Sequence, residues 1–186
     1  VMVDEAHGTG IFGKKGRGVI EHFNLNEKVD IVMGTLSKAI GSLGGYVTGD
    51  TDLINYLRNK ARTFMYTTAL PPAVCAASIA GIKLIQKDSS LRKSLWNNVR
   101  YLKDKLDLLN LNVIPSESPI IPILIGDAQK AVDISKLLYT RGILIPAIRP
   151  PTVPTNSSRL RMTVMSTHTK DDLERLLEAL SEVKGF

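Results

Sequence analysis

Cysteine is almost missing from this chain: Cys75 stands alone among 186 residues. A single thiol rules out an internal disulfide framework and fits a reducing compartment, which points to the cytoplasm. It lies in the small-residue run AVCAASIAG, and the burial habit of free cysteine makes it a buried spectator by expectation. Long apolar runs are missing too. No stretch approaches the roughly 20 residues of a membrane span, and no signal-peptide pattern opens the chain, so no membrane partner is expected. Nor is there an initiating methionine. The chain opens on Val1-Met2-Val3, an apolar strand with no earlier neighbour to pair with, and the expectation is the C-terminal part of a longer protein. Charge of one sign is not concentrated either. The 24 Lys and Arg outnumber the 18 Asp and Glu to give +6, but the two signs are interspersed and no long basic run marks a nucleic-acid track. A nucleic-acid partner is therefore not expected.

What is present is enough apolar residue, 44%, to build a core in one large domain or parts of two. VMVD and VDIVMGTL read as short buried strands and GGYVTGD as a third, by their short apolar runs between turn residues. TDLINYLRNKA has helical spacing. Past Pro71-Pro72 a long helical tract runs through AVCAASIAGIKLIQK, breaks at Asp88-Ser89-Ser90, and resumes as LRKSLWNNVRYLKDKLDLL with Ser89 or Ser90 as N-cap. Strands PIIPILIGD and RLRMTVM then alternate with helical AQKAVDISKLLYTRG and a last helix opening at Thr169. Thr169 followed by Asp172 resembles a capping box. Alternating elements predict an α/β class with a compact second lobe.

The stretch DEAHGTGIFGKKGRG, Asp4 to Gly18, admits three chemistries. A phosphate loop would need a hydroxyl after its lysine, and position 15 is lysine. A dinucleotide fingerprint, Gly8-Thr9-Gly10-Ile11-Phe12-Gly13, must open a helix whose N-terminus faces a pyrophosphate, and the charged, glycine-rich FGKKGRG is ill suited to begin one. DEAH as the magnesium-gripping tetrapeptide of a nucleic-acid-dependent ATPase stays open from these residues alone.

Thr35-Leu36-Ser37-Lys38 weighs against that third chemistry. A lysine at the end of a buried strand, flanked by hydroxyls and followed by Gly41, Gly44 and Gly45, is poorly explained as a solvated charge. Burial makes a lysine amine nucleophilic, as Schiff-base chemistry requires. Pyridoxal phosphate needs such a lysine together with a carboxylate against its ring nitrogen. Asp4 ends one strand and Lys38 follows another, so both are expected at the carboxyl edge of one parallel sheet.

With GTLSKAIGSLGGYVTG, YTTALPP, IRPPTVP and SRLRMTV added to the first motif, the chain resembles the α-oxoamine synthases along essentially its whole length. These are fold-type I pyridoxal-phosphate (PLP) transferases that join an amino acid to an acyl thioester with loss of carbon dioxide. The resemblance places residues 1–88 in the remainder of a PLP-binding large domain built on a parallel sheet, and 89–186 in a small α/β C-terminal domain. Within the family, IRPPTVP with SRLRMTV is most similar to the member that serves biotin synthesis. A glycine acyltransferase, 2-amino-3-ketobutyrate coenzyme A ligase, is the near neighbour. Alanine or glycine is the implied amino donor and an acyl-CoA or carrier thioester the acyl donor.

By the same resemblance Lys38 carries the cofactor and moves the α-proton, Asp4 pairs with the ring nitrogen, and His7 meets the ring's phenolic oxygen. Thr35 binds the phosphate, with Ser37 assisting. Thr67 and Thr68 reach the phosphate from the partner subunit of a homodimer, or else cap the helix that follows. Arg161 takes the amino-acid carboxylate through its planar fork. Arg159, two residues away on the same strand face, is its structural neighbour or rival. Thr152 is a substrate contact, and Arg149 is a second arginine near the site or the partner of a loop salt bridge. No metal is implied, and neither His22 nor His168 matches a family role. Parts of the phosphate and thioester sites are expected outside these residues, so the chain alone is expected to bind cofactor weakly.

Overall fold

In the computed structural model, which describes residues 1–183, the first apolar run becomes β1 (Met2–Asp4). It pairs in parallel with β2 (Ile31–Thr35), Val3 opposite Val32 and Asp4 opposite Met33. Between them lie a glycine-rich loop and the short helix α1 (Val19–His22). The third strand, β3 (Gly45–Thr48), runs antiparallel to β2, with Gly34 opposite Tyr46. The sheet β1-β2-β3 is therefore mixed, where a parallel sheet was expected. The reason is loop length: residues 36–44 are too few for a parallel crossover, which takes about a dozen or more, so the chain turns back beside β2. The strands are also less buried than their apolar composition suggests, since only Gly34 of β2 is buried.

Helix α2 (Thr51–Lys60) starts where Asp50 accepts a hydrogen bond from the Leu53 N–H at 2.7 Å, an N-cap that satisfies one of the orphan donors. A single turn, α3 (Arg62–Met65), precedes α4 (Pro72–Lys87), which has Pro72 in its first turn, where proline's missing N–H goes unnoticed. Among the α4 residues only Ser78 is buried. Cys75 is exposed, correcting the expectation of a buried thiol: the inward stripe of α4 runs through Val74, Ser78, Gly81 and Ile85, and Cys75 lies off it.

The chain divides into two compact units, Val1–Arg92 and Lys93 onward. The boundary falls within the first turn of α5 (Ser90–Leu108), where the Arg92 guanidinium reaches back, donating to the carbonyls of Ile85 at 3.1 Å and Lys14 at 3.0 Å. In the second unit α5 buries Leu95, Val99, Leu102 and Leu106, one stripe at three- and four-residue spacing. They share a core with Ile121 and Ile123 of β4 (Ile120–Gly126), Ala131, Ile134 and Leu138 of α6 (Ala128–Thr140), and Leu160 and Met162 of β6 (Ser158–Thr163). The short β5 (Ala147–Ile148) completes an antiparallel sheet in the order β4-β6-β5. Pro122, which has no N–H to give, sits on the edge strand β4. Helix α7 (Lys170–Glu182) opens with the expected capping box: Thr169 Oγ1 accepts from the Asp172 N–H and the Asp172 carboxylate accepts from the Thr169 N–H. No helix among the described residues is long and apolar enough to cross a membrane.

Candidate active site

Parallel strands leave the sheet at the same edge, and that edge collects the first group of expected residues. Asp4 ends β1 opposite Met33, Thr35 ends β2, and Lys38 lies in the turn that follows. Asp4 is exposed, and its Oδ1 accepts from the Ala6 N–H at 2.8 Å, which fixes the carboxylate at the start of the next turn. His7 is exposed in that same turn. Thr35 Oγ1 donates to the Gly44 carbonyl at 3.2 Å and lies 2.7 Å from Ser37 Oγ.

Lys38 is exposed, correcting the expectation of a buried amine: it lies beyond the end of β2, in the turn and not on the sheet. Its backbone is nonetheless well fixed. Leu36 N–H donates to Gly44, Gly41 N–H to Lys38 and Ser42 N–H to Leu36, at 2.9, 3.0 and 2.8 Å. The turn is tied to α4 by hydroxyls: Ser42 Oγ donates to the Val74 carbonyl at 3.0 Å, and Ser78 Oγ donates to Ser42 Oγ at 2.9 Å. Gly81 lets this contact close, because a Cβ there would stand 2.6 Å from the Ile40 carbonyl oxygen.

The Asp4–Gly18 stretch resolves against all three nucleotide chemistries. The N–H groups of Val19 and Ile20, which would face a phosphate at the head of α1, donate instead to the Glu5 carboxylate at 2.9 and 2.8 Å. Glu5 is fully buried, so it is not presented to a magnesium ion as DEAH chemistry would require. Further along, Glu21 accepts from the Lys15 and Arg17 N–H groups at 2.8 and 2.9 Å. Desolvation pushes the Glu21 carboxyl up, but these backbone bonds, with the Arg17 and Lys15 charges, hold it below the usual range. The loop is thus closed on itself by carboxylates.

Thr67 and Thr68 are exposed in the connection between α3 and α4. They do not cap α4, whose N-cap is Pro71 with no side-chain capping bond. In the second unit, β6 alternates as expected: Ser158, Leu160 and Met162 are buried, while Arg159 and Arg161 are half-buried on the other face. Arg159 Nε donates to the Ser157 carbonyl at 3.0 Å. Arg161 lines a cavity of about 550 Å³ with Leu102, Leu144, Pro146, His168 and Leu173. Arg149 and Thr152 are exposed, and the Thr152 N–H donates to the Arg149 carbonyl at 3.1 Å, closing a turn. His22 stacks edge-on against Phe12 and Phe23, and His168 Nδ1 accepts from the Met165 N–H, so both have local structural work.

Four residues escaped the sequence reading. Tyr46 OH lies 2.6 Å from Thr9 Oγ1, bridging β3 to the glycine-rich loop; the signal was an aromatic two residues into a strand that faces a glycine across the ladder. The Ser42–Ser78 pair had no local signal, because its members lie 36 residues apart. Glu5 was visible within DEAH, but nothing local separates it from Asp4, the one buried and the other exposed.

The geometry matches known proteins along almost all of the chain. The 8-amino-7-oxononanoate synthase of Thermoanaerobacter pseudethanolicus is 45% identical over 181 residues, 97% of this chain and 46% of its own. A solved serine palmitoyltransferase (SPT) with PLP superposes with a TM-score of 0.94 at 30% identity, covering 98% of this chain and 46% of that one. An 8-amino-7-oxononanoate synthase from Francisella tularensis gives 0.86 at 32% identity, covering 97% and 53%. The chain spans about half the length of the curated relatives it matches. The family model for aminotransferase class I and II matches residues 1–180, and with the lysine turn and the aspartate at one sheet edge, this places the chain in the aminotransferase class I and II family.

Proposed function

We propose that this chain provides the lysine-bearing half of an 8-amino-7-oxononanoate synthase, a PLP-dependent enzyme that condenses alanine with a pimeloyl thioester and releases carbon dioxide and the thiol. The observation that carries the reading is the gathering of Asp4, Thr35, Ser37 and Lys38 at one edge of the β1–β2 pair. The donor set suits the cofactor: an exposed carboxylate for a protonated ring nitrogen, an exposed primary amine for an aldehyde, and two adjacent hydroxyls for a phosphate. The cofactor, when bound, supplies an electron sink for the amino acid's α-carbon. Asp4 keeps the proton on the ring nitrogen by charge. Lys38 would hold the cofactor through its amine, and the same amine would remove the α-proton. His7 donates to the ring oxygen. Thr35 and Ser37 turn their hydroxyls to the phosphate, and Thr67 and Thr68 do so across a homodimer interface. Arg161 binds the amino-acid carboxylate, with Arg149 and Thr152 contacting substrate nearby. Residues 1–88 act as the cofactor-holding part and 89–186 as the small domain, in a cytoplasmic enzyme.

The test is an assay of the complete enzyme with alanine or glycine against pimeloyl and acetyl thioesters. Alanine with the pimeloyl thioester gives 8-amino-7-oxononanoate, and Lys38→Ala lowers that rate by at least about 10²-fold. Formation of aminoketobutyrate from glycine and the acetyl thioester, with no aminooxononanoate, overturns the assignment.

A further inference from the structure

Glu5 lies between two exposed residues, Asp4 and His7, yet it is 0% exposed. No other Asp, Glu, Lys or Arg among the described residues is buried. A buried carboxylate is unfavourable unless hydrogen bonds replace its water. Here they do: it accepts from the Val19 N–H at 2.9 Å and the Ile20 N–H at 2.8 Å, both charge-assisted. The backbone of Glu5 adds three more bonds. Its N–H donates to the Met33 carbonyl of β2 at 2.7 Å, and its carbonyl accepts from Gly8 and Thr9 at 2.8 and 2.9 Å. One residue thus ties together the neighbouring strand, the turn holding His7, and the head of α1.

A helix of four residues does not need a carboxylate brought from fourteen positions away. Ser, Thr or Asp at position 18 would cap it locally. Instead Gly18 stands there with no side-chain cap, at φ 114°, and a Cβ on either Gly18 or Gly8 would overlap the Glu5 carboxylate. The loop has been shaped around that side chain. Folding residues 8–18 back onto Glu5 fixes the backbone on both sides of it, and so the directions in which Asp4 and His7 leave the chain.

We propose that Glu5 is a positioning residue: its buried carboxylate, by holding the Val19 and Ile20 N–H groups, orients Asp4 and His7 for the pyridine ring. The cofactor end of this proposal rests on the functional reading above, and its test separates the two. In the complete enzyme, Glu5→Gln keeps the shape but sets an amide N–H₂ against a backbone donor. Val19→Pro keeps the carboxylate and removes one of its two donors at a position where proline suits a helix. Amide exchange is followed in the cofactor-free protein, and PLP binding by its visible absorbance. Glu5→Gln is expected to speed exchange in residues 6–20, weaken PLP binding roughly tenfold, about the loss of one charge-assisted hydrogen bond, and shift the bound cofactor's absorbance maximum. Val19→Pro moves all three in the same direction by less, so the result does not depend on Glu5→Gln folding well. A variant that melts earlier but retains the wild-type PLP affinity and spectrum has lost only a structural contact, and overturns the proposal. Should wild type take up no PLP, the functional reading fails. Exchange in residues 6–20 then decides alone: faster exchange in the variants upholds the anchoring role, and unchanged exchange removes it.

Discussion

Two small side chains test how tightly the fold closes. Gly81 lies inside α4, where alanine would normally stabilise a helix by about 1 kcal/mol. Its missing Cβ, however, faces the Ile40 carbonyl oxygen at 2.6 Å and Ile40 Cγ2 at 2.9 Å, and a backbone oxygen cannot step aside cheaply. Overpacking of this kind costs roughly 1–3 kcal/mol, so Gly81→Ala is expected to lower stability on balance in urea denaturation; a gain would show that the contact relaxes freely. Ser158 presents the opposite case. Its hydroxyl is fully buried at the start of β6 and has no hydrogen-bond partner among the described residues. A buried unmet hydroxyl costs about 1–3 kcal/mol, so Ser158→Ala should leave stability unchanged or raise the melting temperature. A clear loss would mean that the hydroxyl has a partner after all. At this scale the sequence identified residue types better than surroundings. Asp4 and Glu5 look alike in DEAH, yet one is exposed and the other is the only buried acid described, because consecutive residues of an extended segment point to opposite faces.

Helices were the legible elements. The stripe Leu95, Val99, Leu102, Leu106 and the Thr169–Asp172 cap follow from local spacing, which the chain keeps whatever surrounds it. The cap carries a pH prediction. Hydrogen bonds from the Thr169 N–H and hydroxyl, helped by the His168 and Arg175 charges, hold the Asp172 carboxyl below its ordinary value against the pull of desolvation. A carboxyl whose folded pKa is lowered stabilises the fold fully above its ordinary value, about 3.9, and loses that contribution as pH falls through the lower folded value. Amide exchange at the start of α7 should therefore be flat from neutral pH to about pH 4, after the intrinsic rate is corrected for, and should quicken below that. Asp172→Asn should abolish the step, and a step that survives this variant assigns it to another group. Strand direction was less legible. Nothing within GGYVTGD states which way it runs; the short loop 36–44 decides, and with it the mixed sheet.

Across the whole chain, hydrophobic burial is lopsided. The first unit buries Ile20 and Ile40, whereas the second buries four residues of α5 alone and more from β4, α6, β6 and α7. At about 1.5–3 kcal/mol for each large apolar side chain removed from water, the second unit holds the greater part of the burial energy. Hydrogen exchange on the 186-residue chain should accordingly find the slowest amides in α5, β4 and β6, and faster ones throughout β1–β2. Equal protection in the two units would contradict this. The exposure of Lys38, Cys75 and much of α4 belongs to the same pattern. Motifs carried the family and the candidate residues because chemistry demands particular side chains at particular intervals, and those intervals are written along one dimension. Periodicity and capping carried the helices for the same reason. Only the tertiary structure decided burial, strand direction and the long-range ties: Glu5 to α1, Ser78 to Ser42, Gly81 against Ile40. These depend on which distant segments meet, and hydrogen bonds and close packing act over a few ångströms of space however many residues lie between.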